Sequence, residues 1–281
     1  MKADCHMHMI LDGVEWKSAI ARHAEKPDIP WIRGVLETYR QQGYTYLRDG
    51  GDRWGAGAAA RKIAPEYGIH YVTPLAPLCC KGHYGGFIGQ VYRDLREYAG
   101  LVADHRAKGA DFIKIMISGL MDFDRAGVLT EEGLSPALIR ELIHIAHEEG
   151  FSVMAHCNGA RTMEAAAIAG VDSIEHGAYS DRDALQAMVE SKTVWVPTLS
   201  TVGNLRGKGR FDEGAVQEIF RRACEAIAAF AEMGGLIAPG TDAGAWAVPH
   251  GCETEETLLM GCGVSAEALQ KGALAVIERF S

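Results

Sequence analysis

The sequence has 281 residues, which is the length of one large α/β domain and more than a minimal module requires. Hydrophobic residues make up 48% of the chain and the formal net charge is −9, so we expect no general nucleic-acid or membrane surface. The sequence shows no secretory leader, no apolar run of ~18 residues and no paired cysteine spacing of a zinc site. These features predict a cytoplasmic protein with free thiols.

Short apolar segments alternate with longer helical patterns along the chain. Many apolar segments lack polar alternation, which is typical of parallel strands that are buried on both faces. We predict eight strands, at residues 2–7, 45–49, 71–75, 112–117, 152–155, 173–175, 194–198 and 236–240.

Helical patterns separate the predicted strands, and most of them end at a glycine, which adopts the left-handed conformation of a helix end at little cost. The predicted helices span residues 33–42, 56–66, 91–108, 136–149, 161–169, 181–190 and 212–233. Eight strand–helix units in order predict an α/β fold, a closed (β/α)8 TIM barrel with a single domain over residues 1–281; an open doubly wound sheet is the alternative. The long first connection, residues 10–32, is predicted to fold over the mouth of the barrel.

Polar residues stand at the carboxyl ends of several predicted strands, where such barrels place their chemistry. The first strand carries His6 and His8, which point the same way in an extended segment and could share one metal ion. The fifth strand ends at His156, the sixth at His176 and the eighth at Asp242. Imidazole and carboxylate ligands at an open site suit zinc, manganese or a similar ion.

Lys114 interrupts the apolar fourth strand. An ammonium group would repel metal ions and would be costly to bury. The position is explained if carbon dioxide has carboxylated the amine, because the carbamate has two oxygens and can bridge two ions roughly 3.5–4 Å apart. Taken singly, Lys114 could be a buried ion-pair partner, Asp242 a turn residue, and each histidine a core residue. The combination predicts a two-metal site.

At these positions the sequence resembles the amidohydrolase superfamily, and within it the dipeptidase (prolidase-like) and imidazolonepropionase-related branch. The resemblance covers about residues 4–244 and continues more weakly to 273. Its carriers are residues 4–8, 45–51, 113–115, 118–119, 154–156, 170–177, 196–198 and 240–244.

The resemblance implies a hydrolase that cleaves an amide bond of a dipeptide or an N-acyl amino acid with two divalent metal ions, zinc or alternatively manganese or cobalt. His6, His8 and Asp242 would hold the buried ion, and His156 and His176 the exposed one. Carboxylated Lys114 and a hydroxide would bridge them, and Asp242 would also shuttle the proton. Relatives carry a small β-sandwich for which this sequence shows no segments, so assembly, a homo-oligomer included, stays open.

Two further residues are candidates for substrate contacts. His83, in residues 80–86, resembles the histidine of a Gly-Gly-His-Gly segment of the dipeptidase branch, although Lys81 and Tyr84 depart from that pattern. It would stabilise the oxyanion and touch the substrate. Tyr179 could bind a substrate carboxylate or phenyl ring. The alternatives are a surface histidine and a tyrosine that packs against the next helix.

Other functions remain open at this point. A mononuclear deaminase of the same superfamily would share the histidines and the aspartate, but such enzymes lack the lysine that stands here at position 114. A phosphoester or lactone hydrolase could use the same two metals. A barrel that keeps metals only for structure is the non-enzymatic alternative.

Overall fold

The computed structural model describes all 281 residues and shows a mixed α/β chain. The strands are β1 Lys2–Met7, β2 Tyr44–Asp49, β3 His70–Val72, β4 Leu78–Cys80, β5 Gln90–Tyr92, β6 Ile113–Met116, β7 Val153–Cys157, β8 Ser173–His176, β9 Val194–Val196 and β10 Leu236–Ile237. The helices are α1 Trp16–His23, α2 Ile29–Gln41, α3 Ala56–Ile63, α4 Leu95–Ala107, α5 Pro136–Glu148, α6 Ala160–Ile168, α7 Arg182–Glu190, α8 Ser200–Gly203, α9 Glu213–Glu232, α10 Thr254–Gly261 and α11 Ala266–Phe280. None of them combines the length and the apolar character that crossing a bilayer requires.

All strand pairings are parallel, and they form two sheets. One sheet has the order β1-β2-β3, and the other the order β10-β9-β8-β7-β6-β4-β5. Backbone hydrogen bonds connect them on both sides. The Cys5 amide donates to the Pro239 carbonyl at 2.9 Å, and the Asp111 amide donates to the Thr73 carbonyl at 3.1 Å. The strand ladder itself is not continuous around a ring.

The strands share one interior. A single apolar cluster joins Ala3 of β1, Tyr46 of β2, Val72 of β3, Met154 of β7 and Val194 of β9. Residues adjoining β6 and β10, and the end of α11, belong to the same cluster. The carboxyl ends of these strands therefore face one common region, where a site can be assembled.

The eight strands predicted from the sequence are present, at β1 to β3 and β6 to β10, several of them shorter than predicted. The helix predicted over residues 91–108 was wrong at its start, because residues Gln90–Tyr92 form β5 beside β4. The helix begins only at Leu95, where the Asp94 carboxylate accepts a hydrogen bond from the Glu97 amide. Neither β4 nor β5 was predicted.

The long first connection contains α1 and lies beside the loop that follows β4. Glu15 caps α1 by accepting a hydrogen bond from the Ser18 amide. The Trp16 ring packs edge-on against Phe87, with 5.5 Å between the ring centroids. This connection therefore contributes a large aromatic side chain to the region beyond the strand ends.

Candidate metal centre

The strands bring all six predicted metal ligands to one place. They converge because the parallel strands end at a common edge, and each ligand lies within two residues of a carboxyl end or beyond it. His6 and His8 lie on β1, Lys114 on β6, His156 on β7, His176 on β8, and Asp242 five residues after β10. Five of them are buried and His176 is partly buried.

The tightest part of the cluster contains His6, His8 and Asp242, whose ligand atoms all lie within 4.8 Å of one another. The Nε2 atoms of His6 and His8 are 3.3 Å apart. The Oδ1 atom of Asp242 lies 3.6 Å from His6 Nε2 and 3.4 Å from His8 Nε2. The Lys114 Nζ atom is 3.4 Å from His6 Nε2. Four polar groups thus face one small volume.

The other two histidines lie beside this group. The ring centroids of His156 and His176 are 4.5 Å apart. The ring of His176 is also 5.3 Å from the ring of His6, centroid to centroid. The two predicted halves of the site are therefore adjacent.

Outer hydrogen bonds orient two of the rings. The Glu175 Oε2 atom accepts from His6 Nδ1 at 2.8 Å. The Thr198 hydroxyl donates to the Pro197 carbonyl at 2.7 Å, so it accepts from His176 Nδ1, also at 2.7 Å. Both arrangements leave Nε2 without a proton, as a metal ligand requires.

The His156 ring is bonded through Nε2, whereas His6 and His176 are bonded through Nδ1. Its Nε2 atom donates to the Gly119 carbonyl at 3.2 Å, which leaves Nδ1 as the atom that is free to bind an ion. Gly119 also accepts from the Asn158 amide nitrogen, Nδ2, at 2.9 Å. The loop after β6 therefore fixes this ring through its backbone.

Behind His6 lies a buried ion pair between Arg48 and Glu175. The Arg48 Nη2 atom donates to Glu175 Oε1 at 2.8 Å, Nη1 donates to the Ser173 hydroxyl at 2.8 Å, and Nε donates to the Cys5 carbonyl at 2.6 Å. Arg48 and Glu175 are both 0% exposed. The sequence signal was a charged residue inside each of two otherwise buried strands.

Burial controls the ionisation of the cluster. It lowers the pKa of His8 and His156 to about 3, with the charge of Lys114 as the second cause. Burial also lowers the pKa of the Lys114 amine and raises that of the Asp242 carboxyl. Imidazoles that stay neutral at pH 7 are in the state that binds metal ions. The donor set therefore fits divalent metal ions.

Backbone strain marks the same strand ends. Asp242, His176 and Thr198 have positive φ angles of 56°, 69° and 50°, in the left-handed region that residues other than glycine rarely adopt. Strain of this kind is retained where the surroundings enforce it, often at functional sites.

A cavity of about 520 Å³ opens above the cluster. Loop residues form much of its wall, and the Tyr84 ring lies beside the cluster, with its centroid 4.9 Å from that of His156. The volume is in the range of small-molecule sites. Its lining includes His8, Lys114, His156, His176 and Asp242.

The two predicted substrate residues do not line this cavity. The His83 side chain is 37% exposed, and its Nδ1 atom lies 3.6 Å from Glu131 Oε1. Its neighbour Tyr84 lines the wall instead, and the Tyr84 amide donates to the same Glu131 carboxylate at 2.7 Å. Tyr179 packs against the apolar cluster around Val202. The roles of His83 and Tyr179 stay predictions.

No family model matches the chain. Among curated proteins, an uncharacterized protein of Mycobacterium tuberculosis is 28% identical over 280 residues, which covers 95% of this chain and 69% of that protein. The ochratoxinase of Aspergillus niger is 26% identical and the match covers 85% of this chain. The matched region spans 56% of the length of ochratoxinase.

Solved structures share the fold over almost the whole chain. An Xaa-Pro dipeptidase with bound methionine in its active site superimposes with a TM-score of 0.79 at 22% identity, covering 98% of this chain and 74% of that one. The A. niger ochratoxinase gives a TM-score of 0.75 at 21% identity, covering 98% and 68% of the two chains. The dipeptidase and the ochratoxinase are hydrolases by name, and the shared fold agrees with the resemblance to the amidohydrolase superfamily.

Proposed function

We propose, from this likeness to amidohydrolases, that the chain is a metal-dependent hydrolase that cleaves an amide C–N bond in a small molecule, a dipeptide or an N-acyl amino acid. One observation carries the proposal. The ligand atoms of His6, His8 and Asp242 lie within 4.8 Å of one another at the strand ends, and Lys114 Nζ joins them at 3.4 Å from His6 Nε2.

The proposed site holds two divalent ions, zinc or alternatively manganese or cobalt. His6, His8 and Asp242 would hold one, and His156 and His176 the other. Lys114 would join them as a carbamate, formed when the unprotonated amine attacks carbon dioxide and releases a proton. The burial that lowers the Lys114 pKa supports this step, because only the unprotonated amine reacts.

The metal ions would polarise the substrate carbonyl and lower the pKa of water to about 7. In the proposed mechanism Asp242 accepts the proton of the attacking water at its carboxylate and then donates it to the leaving nitrogen. Glu175 and Thr198 keep the His6 and His176 rings in the tautomers described above. His83 remains the sequence-based candidate for the oxyanion donor, and Tyr179 for a substrate contact.

We further infer that the two sheets form one (β/α)8 barrel, with a single domain over residues 1–281. The apolar cluster that joins side chains of β1, β2, β3, β7 and β9 supports this inference. A cytoplasmic location, a small molecule as the partner, and the absence of nucleic-acid or membrane partners are further parts of the proposal. A homo-oligomer remains open.

A mononuclear deaminase is disfavoured by the position of Lys114. The residue Lys114 is 1% exposed, and its amine lies within hydrogen-bonding distance of His6 Nε2. The amine therefore lies among the candidate metal ligands. A phosphoester or lactone hydrolase could use the same groups, and substrates separate these alternatives.

The test is a loaded enzyme with a panel of substrates. Protein prepared with zinc and bicarbonate is assayed for metal content by mass spectrometry and for hydrolysis of dipeptides, N-acyl amino acids, a lactone and a phosphoester. Asp242→Asn should lower the turnover of an amide substrate about 10²–10⁴-fold while the circular dichroism spectrum is unchanged. Asp183→Asn, in an exposed turn of α7, is the matched control.

Full turnover by Asp242→Asn would refute the proton shuttle. A metal-loaded protein that hydrolyses the lactone or the phosphoester but no amide would replace the proposed reaction by that alternative. Inactivity across the whole panel would favour the non-enzymatic alternative.

A further inference from the structure

We propose that the cavity selects N-acyl amino acids with a bulky aromatic acyl group, and that Arg210 binds their carboxylate. This inference rests on the proposed amide hydrolysis and assigns its substrate class. The features that carry it are the aromatic wall of the cavity and an unpaired guanidinium at its edge.

Separate loops contribute aromatic side chains to the wall. Trp16 comes from the connection after β1, Phe87 from the loop after β4, and Phe123 from the loop after β6. Phe211 and Trp246 come from the segments after β9 and β10. Five chain segments that are far apart in the sequence thus present large apolar surfaces to one cavity.

The aromatic residues form two packed groups. Trp16 lies edge-on to Phe87 at 5.5 Å, and Phe211 lies 5.2 Å from Phe123 and edge-on to Trp246 at 6.3 Å, all between ring centroids. Trp16 is nevertheless 47% exposed. Exposed aromatic surface beside a cavity is characteristic of a ligand site, because an apolar ligand removes that surface from water.

The size of the cavity fits the same class of substrate. About 520 Å³ lies beyond the polar cluster, which is enough for a drug-sized molecule. An acetyl group would touch little of this wall, whereas a fused aromatic acyl group would contact several of the rings. Binding free energy grows with the apolar area buried, so the bulky acyl group is favoured.

Arg210 supplies a positive charge at the edge of the cavity. Its Cζ atom lies 4.2 Å from the centroid of the Trp246 ring, and the side chain makes no hydrogen bond or ion pair within the protein. Apart from Lys114, it is the one lysine or arginine that lines the cavity. Glu15, the acidic residue of the rim, already caps α1.

A guanidinium held over an indole ring is suited to a carboxylate, because its planar donors match the two oxygens. The Trp246 face restricts the orientations of Arg210 before the ligand arrives. A free carboxylate on the substrate would therefore meet a prearranged partner, and an uncharged amide of the same shape would not.

The first test measures binding to the metal-free protein by calorimetry, so that the result does not depend on turnover. The probe is N-(2-naphthoyl)glycine. N-acetylglycine keeps the carboxylate but has a small acyl group, and N-(2-naphthoyl)glycinamide keeps the aromatic group but has no charge. We expect the probe to bind about tenfold more tightly than N-acetylglycine and about fivefold more tightly than the glycinamide.

Two arginine variants identify the carboxylate partner. Arg210→Gln should reduce the affinity for N-(2-naphthoyl)glycine to that for the glycinamide. Arg206→Gln is the matched control, because Arg206 also stacks on an aromatic ring, Phe220 at 3.8 Å, but does not line the cavity. Equal losses in both variants, or no loss in Arg210→Gln, would overturn the assignment of Arg210.

The second test uses the enzyme loaded with zinc and bicarbonate. We expect kcat/KM for N-(2-naphthoyl)glycine to exceed that for N-acetylglycine about tenfold, and Arg210→Gln to raise KM with little change in kcat. Equal kcat/KM values for the two substrates would overturn the aromatic preference. Selective binding of the naphthoyl probe without hydrolysis of any amide would support the binding site and refute the proposed function, so the two failures are distinguishable.

Discussion

Glu175 links the candidate metal centre to the interior of the protein. One of its oxygens accepts from His6 Nδ1, and the other accepts from Arg48 and from the Ser173 hydroxyl, at 2.8 Å and 2.5 Å. A carboxylate that holds a ligating imidazole fixes its tautomer and raises its basicity. Glu175 is therefore a positioning residue for His6 and the partner of a buried charge.

Replacing Glu175 by glutamine should affect both roles. We expect metal affinity, measured by competition with a chelator, to fall about 10–100-fold. The free energy of unfolding of the metal-free protein should fall by about 3–5 kcal/mol, because Arg48 loses its buried counter-charge. Glu190→Gln, on the exposed end of α7, is the control. Unchanged metal affinity in Glu175→Gln would show that the ring is oriented by other contacts.

Tyr84 and His83 are alternative candidates for the group that donates a hydrogen bond to the oxyanion. Tyr84 lines the cavity, its ring lies 4.9 Å from that of His156, and its hydroxyl has no partner within the protein. Burial raises the pKa of Tyr84, so the hydroxyl keeps its proton at neutral pH. A donor of this type is typically worth about 10²–10³-fold in turnover.

We therefore expect Tyr84→Phe to lower kcat about 10²-fold with little change in KM, and His83→Asn to retain most of kcat. Steady-state kinetics on one amide substrate measure both. The opposite pattern would show that His83 moves into the cavity when substrate binds, as the resemblance to the dipeptidase branch implies.

The convergence of the candidate metal ligands could be predicted from the sequence because strand alternation and the carboxyl-end rule act locally. His6 and His8 needed only their spacing. Glu175 was not predicted, since its partner His6 is 169 residues away in the sequence. Tyr84 was not predicted because the conformation of a glycine-rich loop determines which of two adjacent side chains enters the cavity.

Among the elements, α8 depends on a contact from α10. The Glu255 carboxylate accepts from the amides of Leu199 and Ser200 at 2.9 Å and 2.6 Å, and from the Ser200 hydroxyl at 2.7 Å. It therefore caps the short helix that follows β9 from a position 55 residues later. Leu205, which lines the cavity, lies two residues after the end of that helix.

This contact predicts a dependence of stability on pH. Burial raises the pKa of Glu255 from 4.5 to about 7, so the folded protein binds this proton more tightly than the unfolded chain does. The resulting stabilisation is fully present below about pH 4.5 and is lost as the pH rises through 7, on the order of 3 kcal/mol in all.

Denaturant unfolding of the metal-free protein at several pH values measures this effect. Glu255→Gln should reduce the decline of the free energy of unfolding between about pH 4.5 and 7. It should also lower this free energy at the acidic end of that range. Glu267→Gln, exposed at the start of α11, should leave the curve unchanged. Burial also raises the pKa of Asp49 to about 7, so the difference between variant and parent isolates Glu255. If the free energy of unfolding of Glu255→Gln changed with pH as it does in the parent protein, the pH dependence could not be assigned to Glu255.

The two strands that were not predicted share a physical cause. β4 and β5 are three residues each and pair with each other, and β4 also pairs with β6. Strands this short have too few residues for a periodic signal, and their extended conformation depends on neighbours along the sheet. Helices α5 and α9 were predicted within one residue at each end, because their apolar faces repeat over several turns and their caps are local. Helix α11, at Ala266–Phe280, was not predicted.

In the molecule as a whole, the cluster of candidate ligands opposes folding when no ion is bound. Lys114, Asp242 and four imidazoles are gathered in one largely buried volume, where burial disfavours every charged form. Ions that bind the folded state and not the unfolded chain stabilise the protein by mass action.

Metal loading should therefore raise the melting temperature. Zinc at about 100 times its Kd should raise the free energy of unfolding by about 2.7 kcal/mol for each site. The increase should be larger with bicarbonate than without it, because bicarbonate supplies carbon dioxide for the carbamate. A chelator should abolish both the gain and the activity, and zinc should restore them. Lys114→Ala should remove the bicarbonate effect. A melting temperature that does not respond to zinc or chelator would contradict a metal site.

The order of eight strand–helix units could be predicted from the sequence, because each unit carries its own pattern. The predicted closure of the ring is not seen as a continuous strand ladder. The two sheets are instead connected by hydrogen bonds outside the ladder, such as that from the Cys5 amide to the Pro239 carbonyl, between residues more than 230 positions apart. The (β/α)8 architecture is therefore an inference from unit order and the shared interior.

The division of the site between strands and loops has a consequence for how such a protein can change over generations. The side chains for the chemistry stand at or next to rigid strand ends, whereas most of the residues that would contact the rest of a substrate lie on separate loops. Mutation of one loop can thus alter substrate preference without disturbing the reactive groups. A duplicated copy of this gene could acquire a new substrate through a few loop substitutions, and its candidate metal ligands would remain the same.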